Sequence, residues 1–392
     1  MKSIYIVFVL LIIFSCSEKK EEMLTISFEE CVSKEKEMQL SAIADTLEYL
    51  ELKTPDDIVV SRIVNILQSD DFWIIQTPNN IYKFSKEGSF IKEIGRRGQG
   101  PEEYIHILAT DIDYERKEII QADVQKILYY DYEGNVLRTT KINDYFFNLV
   151  VSDSIFWTCN LCMHVDKYMA CAINRSGDTI AVVPNPNYGM KSLNTDGFYF
   201  NSPFYLREFS KYDGSLYMKT RSSRDTVYQI SGINRVPYLY FDMGKYKMPV
   251  EYEIWYSKEA YERNADNYWN IPRMNEDEQY IYIIASRQKP KNEEKDNDED
   301  YKFIVYDKDK KDGFVTKGRN GNKITDDILG GPSFWMSWMS DEYYISAVEF
   351  SDFKEIVEGG DYELSPMLKK QYENWNEDTN QLVVLARKIK KL

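Results

Sequence analysis

From Ile81 nearly to the C-terminus, short runs of alternating apolar and polar residues are broken by glycine-bearing turns. Residues 81–91 (IYKFSKEGSFI) and 127–137 (ILYYDYEGNVL) share one layout of strand, tight turn at Glu-Gly, and second strand. Glycine at the turn accepts the left-handed backbone, and the flanking period near two is that of a half-buried strand. A third copy lies at 172–180 (AINRSGDTI), with weaker ones at 227–234 (VYQISGIN) and 303–315 (FIVYDKDKKDGFV). A spacing of roughly 40–50 residues between such hairpins is that of propeller blades with four strands each. The strand at 381–386 (QLVVLA) is expected to close a sixth blade by pairing with an N-terminal strand at 46–52 (TLEYLEL). Ring closure removes the exposed edges that otherwise template aggregation. The fold predicted is therefore all-β: a six-bladed β-propeller of four-stranded antiparallel blades. In the first blade, residues 71–75 (DFWII) are expected as the inner strand.

Composition narrows the function classes. The 392 residues carry 49 Lys+Arg against 64 Asp+Glu, a formal net charge of −15, and this acidity argues against nucleic acid, which is held through cationic contacts to phosphate. The 31 Tyr, 19 Phe and 7 Trp favour strands. His106 and His164 are the only histidines, too few for a His-built metal centre or triad. No metal and no other cofactor is expected.

At the N-terminus an apolar run from Ile4 to Phe14 precedes Ser15-Cys16. The run is too short to cross a bilayer and has the form of a secretory signal. A small residue before a cysteine at the end of such a run resembles the lipobox of bacterial lipoproteins. The resemblance implies cleavage before Cys16 and acylation of that residue, with palmitate-type chains as the anchor; an ordinary signal peptide is the competing reading. Residues 17–22 (SEKKEE) resemble the acidic export signal of Bacteroidetes-type lipoproteins, which implies an outer-membrane protein facing the cell exterior; a plain solvated tether is the alternative. The expected organisation is a signal peptide at 1–15, a lipidated tether and N-terminal segment at 16–40, and one propeller at 41–392.

Residues 95–104 (GRRGQGPEEY) follow the first hairpin. Together with Asp225-Thr-Val-Tyr228 and the stretch 241–249 (FDMGKYKMP), they resemble the NHL-type six-bladed propeller lipoproteins of Bacteroidetes. The resemblance spans most of the mature chain and is strongest from about Thr54 to Ile142. It implies the fold, with no particular activity attached.

The interval between Gly232 and Gly313 is too long for one blade, so an insertion is expected at about 246–300. Part of it, 252–277, has a loose helical period, and 292–300 (NEEKDNDED) reads as a solvated acidic loop. Calcium there lacks the glycine of a twelve-residue loop.

Several constellations invite chemistry. Cys159-Asn-Leu-Cys162 has redox or metal spacing but stands alone. In a hairpin turning near Val165, Cys159 and Cys171 come close to opposite each other, which suits a disulfide; buried thiols suit the same positions. The glycine-rich stretch with Arg96 and Arg97 lacks the lysine and helix of a phosphate loop, so a blade connection is favoured, with the two arginines as candidate carboxylate ligands facing the channel. Asp111 and Asp113 share one strand face, as a solvated edge or an acid-base pair. Trp335 and Trp338 beside Gly330-Gly331-Pro332 are candidate platforms for a sugar or protein, against a role as filling between blades. The reading adopted is a lipid-anchored, monomeric, non-catalytic propeller that binds a glycan, peptide or partner protein. A channel enzyme (lyase or hydrolase) and a structural envelope component are its rivals, since the fold hosts all three.

Overall fold

The computed structural model describes residues 23–142, 146–160, 166–189, 209–219, 225–249, 267–287, 300–318, 321–360, 362–375, 379 and 381–389. The chain begins on the rim with β1 (Leu24–Ser27), α1 (Phe28–Val32), β2 (Glu35–Lys36) and β3 (Ala44–Glu51). The first blade follows as β4 (Asn65–Gln68), β5 (Phe72–Gln76), β6 (Ile81–Ser85) and β7 (Phe90–Glu93). The second is β8 (Ala109–Asp113), β9 (Glu118–Asp123), β10 (Lys126–Asp131) and β11 (Val136–Lys141). The third is β12 (Asn148–Ser152), β13 (Ile155–Cys159), β14 (Tyr168–Asn174) and β15 (Thr179–Pro184). The fourth is β16 (Phe209–Tyr212), β17 (Ser215–Lys219), β18 (Thr226–Ser231) and β19 (Asn234–Asp242). The fifth is β20 (Trp269–Glu276), β21 (Tyr280–Arg287), β22 (Tyr301–Asp307) and β23 (Asp312–Thr316). The sixth contains β24 (Trp338–Met339), β25 (Tyr343–Glu349) and the C-terminal β26 (Gln381–Lys388), completed by β3 as its outer strand. Leu382 pairs with Glu51 and Leu385 with Glu48, so the two ends of the chain close the ring as the apolar pattern predicts.

The repeated turn glycine serves two purposes. Gly88, Gly134 and Gly177 all have positive φ, from 79° to 88°. A Cβ on Gly88 would also overlap the Glu51 carbonyl oxygen, and one on Gly177 that of Lys141. The outer strand of each preceding blade therefore rests on the turn of the next. The fifth copy departs from the pattern. Its left-handed residue is Lys311, and Gly313 lies inside β23, where the Cys31 sulfur fills the space a side chain would need.

Two expectations are corrected. Residues 72–76 form the second strand of the first blade, not the inner one; buried on both faces between neighbouring blades, they read as a continuous apolar run. Within the stretch 246–300, residues 269–276 and 280–287 are β20 and β21, two ordinary blade strands, so the loose helical period does not hold over 269–276; 250–266 and 288–299 lie outside the described residues. Among the described residues, helices also interrupt the ring between β25 and β26, as α2 (Phe350–Gly359) and α3 (Pro366–Asn374). Ser365 caps α3 by accepting from the Leu368 N–H; Phe353 packs edge-on with Tyr49 and Trp375, and tilted rings join Tyr49 to Trp375 and Phe353 to Tyr372.

The N-terminal segment is also more than a tether from Leu24 onward. Strand β1 pairs in parallel with β19 and β2 with β23, adding a fifth strand to the outer edges of the fourth and fifth blades. Gln39 then bridges Thr325, and Lys53 bridges Ser89 of the first blade. This strap covers the outer edges of β19 and β23, and Lys53 reaches the start of β7 by accepting the Phe90 N–H at 2.9 Å.

Candidate functional site

The chain direction divides the ring into two unlike faces. The first-to-second turns of the described blades and the third-to-fourth turns of the first five are short, such as 114–117, 153–154 and 132–135, and all point to one side. The second-to-third and blade-to-blade connections emerge on the other side. Among the described residues they include 94–108, 321–337 and the helical excursion after β25.

On the short-turn face several titratable groups are engaged by protein partners, although Arg175 Nε and Glu276 Oε2 are buried without one. Arg175 bonds Asp113 and, at 2.7 Å, Glu118, while Arg138 grips Glu118 through two bonds of 2.6 and 3.0 Å. The Tyr282 and Tyr344 hydroxyls donate to Asp277 at 2.7 and 2.6 Å, and burial with this carboxylate raises both phenol pKa values. Glu276 takes the Tyr238 hydroxyl at 2.5 Å and the Lys308 ammonium at 2.9 Å. These contacts tie neighbouring strands and blades together, and they leave Asp113 as neither a solvated edge nor an acid-base group.

The inner strands β4, β8, β12, β16, β20 and β24 bound the channel. Several of their side chains reach the backbone of a neighbouring blade: Asn65 donates to Thr110 O at 3.0 Å, and Asn275 to Met336 O at 3.2 Å. Asp111 accepts the Val151 N–H at 2.8 Å from the third blade and the Lys211 ammonium at 3.0 Å from the fourth. Gln68 Oε1 and Thr110 Oγ1 are buried without a partner.

Arg273 differs from these groups. It lies on β20 just after a register break between Asn270 and Arg273, where Pro272 occupies a bulge. Proline is tolerated in a strand at such an edge or bulge, and bulges re-aim the side chains beside them. The half-buried guanidinium donates to Ser337 O at 3.3 Å and lies 5.8 Å from the Trp338 ring centroid. No carboxylate among the described residues pairs with it, and burial alone brings its pKa down to about 10.

The residues singled out from sequence are dispersed. Arg96 and Arg97 are exposed on a small hairpin closed by Gly98 N to Tyr104 O, and Arg96 leans on Glu103 at 3.6 Å. Trp335 and Trp338 are 4% and 6% exposed; Trp335 packs against Phe303 and Tyr282, and no ring face remains open to a sugar. Burial therefore corrects the stacking assignment in favour of filling between blades. The Cys159–Cys171 disulfide is corrected by register: Cys159 faces Ala170 and Cys171 faces Thr158, so adjacent positions send the two side chains to opposite sheet faces, and both are buried thiols. Cys16, Cys162 and His164 lie outside the described residues. Lys211 and Arg273 had no motif to mark them, although proline inside the apolar run 269–274 (WNIPRM) signals an irregular strand.

Residues 23–387 match the family model DUF4934, a domain of unknown function. Among solved structures, a candidate exported protein from Bacteroides fragilis aligns at TM-score 0.70 and 20% identity over 93% of this chain and 100% of its own. A DUF4221 family member from Bacteroides vulgatus aligns at TM-score 0.48 and 14% identity, over 89% and 98% of the two chains. Among curated proteins none matches. The B. fragilis likeness carries the fold, and no described helix is long and apolar enough to cross a membrane.

Proposed function

The chain belongs to the DUF4934 family, and from that premise we propose that it is a lipid-anchored, surface-exposed outer-membrane protein whose propeller is a non-catalytic scaffold for a glycan, peptide or partner protein. The asymmetry of the ring carries this reading. Long connections and both late helices crowd one face, while the opposite face is made of short turns. Loops held by a rigid ring are the usual place for recognition. The Ser15-Cys16 sequence supports acylation, and the exported B. fragilis relative of the same fold supports export.

Two measurements test it. Cys16→Ser is expected to abolish incorporation of labelled palmitate and to move the protein from the membrane to the soluble fraction. Photo-crosslinkers at Val59, Arg97 and Ile105, all exposed on the long-connection face, are expected to give adducts on intact cells that positions Asp153 and Asp213 do not. Adducts from the short-turn positions alone would overturn the assignment of the face.

A further inference from the structure

We propose that Arg273 is the anion-binding group of the channel and that it takes a carboxylate from a small ligand entering along the ring axis. The inference deepens the scaffold reading and rests on it. Four features converge on this residue. It lies on an inner strand, and its guanidinium reaches Ser337 and Trp338 at the inner strand of the next blade, so it sits where two inner strands meet beside the channel. Among the described residues, β20 is the only inner strand whose pairing with its neighbour is broken by a bulge; the breaks in the first four blades fall between third and fourth strands. The bulge contains Pro272, so the irregularity is built into the sequence. The guanidinium, finally, has a single carbonyl as hydrogen-bond partner, although a guanidinium carries five N–H donors in a fork that matches a carboxylate.

Neither the channel-side Asp111 nor Glu276 of its own strand is paired with it. Asp111 is already engaged by Lys211 and the Val151 N–H, and Glu276, three residues along β20, is taken by Lys308 and Tyr238. A half-buried cation left in this state retains an unmet demand for an anion. Trp338 flanks the guanidinium and orients it, which favours a planar carboxylate over a spherical ion.

The test is calorimetric titration of the mature chain with D-galacturonate and with succinate, using D-galactose as the uncharged control. Binding of either carboxylate, with no binding of galactose, is expected; which of the two binds separates a sugar acid from a simple dicarboxylate. Arg273→Gln should weaken that binding roughly tenfold or more, as for a lost charged hydrogen bond, and Arg273→Lys should fall between. In the unmodified protein the bound carboxylate should protect Arg273 from phenylglyoxal, read by peptide mass spectrometry, so the outcome does not depend on how well a variant folds. No binding of either carboxylate at millimolar concentration overturns the inference, as does equal binding of galactose, unchanged affinity in Arg273→Gln, or equal modification of Arg273 with and without ligand. Any of these beside intact crosslinking from the long-connection face leaves the scaffold reading standing, whereas loss of that crosslinking strikes the scaffold reading itself.

Discussion

At the scale of single residues, glycine positions separate two costs that are usually mixed. Gly177 is left-handed and also lies against the Lys141 carbonyl, whereas Gly214 is left-handed with nothing within 4 Å of its would-be Cβ. Gly214→Ala is expected to lose only the conformational term, about 1–2 kcal/mol. Gly177→Ala should lose clearly more, because the outer strand of the second blade must retreat; chemical denaturation of the two variants compares them directly. Trp335→Ala should cost about 3–5 kcal/mol as a large-to-small core change, with its effect on stability and none on surface binding. A Trp335→Ala protein of unchanged stability that lost a ligand would reverse that assignment.

Among elements, the strap from β1 to β3 is the one whose role reaches beyond its size. It adds strands to two outer edges and is held partly by charge: Lys34 and Lys36 bond Asp312 at 2.5 and 3.2 Å. Those bonds, Lys34 first, hold the Asp312 carboxyl below its usual range. A depressed carboxylate stabilises the fold fully above its unfolded value, about pH 3.9, and the contribution is lost as pH falls through the lower folded value. The strap should therefore loosen only below about pH 4, and modestly, since solvent screens the exposed pair. Pepsin cleavage within 24–36 as a function of pH measures this, and Asp312→Asn should remove the pH dependence. Deleting residues 23–36 uncovers β19 and β23, and the expected result is a lower melting temperature with concentration-dependent aggregation by size-exclusion chromatography.

For the whole molecule, closure through β26 and β3 couples the last blade to both termini. Truncation before Gln381 removes a central strand of that blade and leaves β3 with no partner sheet. The truncated chain should fail to reach the native circular dichroism spectrum, in contrast to loss of the residues beyond Ile389. Acidity belongs to this scale as well. A net charge of −15 favours solubility and opposes nucleic acid, without selecting the ligand.

The pattern of short alternating strands and recurring turn glycines was enough to reach the six-bladed ring and the pairing of 46–52 with 381–386, because strand period and turn chemistry are local properties. Local pattern could not separate an exposed tryptophan from a buried one, since Trp335 and Trp338 beside a Gly-Gly-Pro turn look alike in either setting. Nor could it tell that Cys159 and Cys171 leave opposite sheet faces, which depends on a register offset of one residue. The strap, the helices after β25 and the lone guanidinium of Arg273 were decided by tertiary structure alone. Each depends on which segments, distant in sequence, come to lie side by side, and a charge becomes a binding group only when folding has settled which of its partners are already taken.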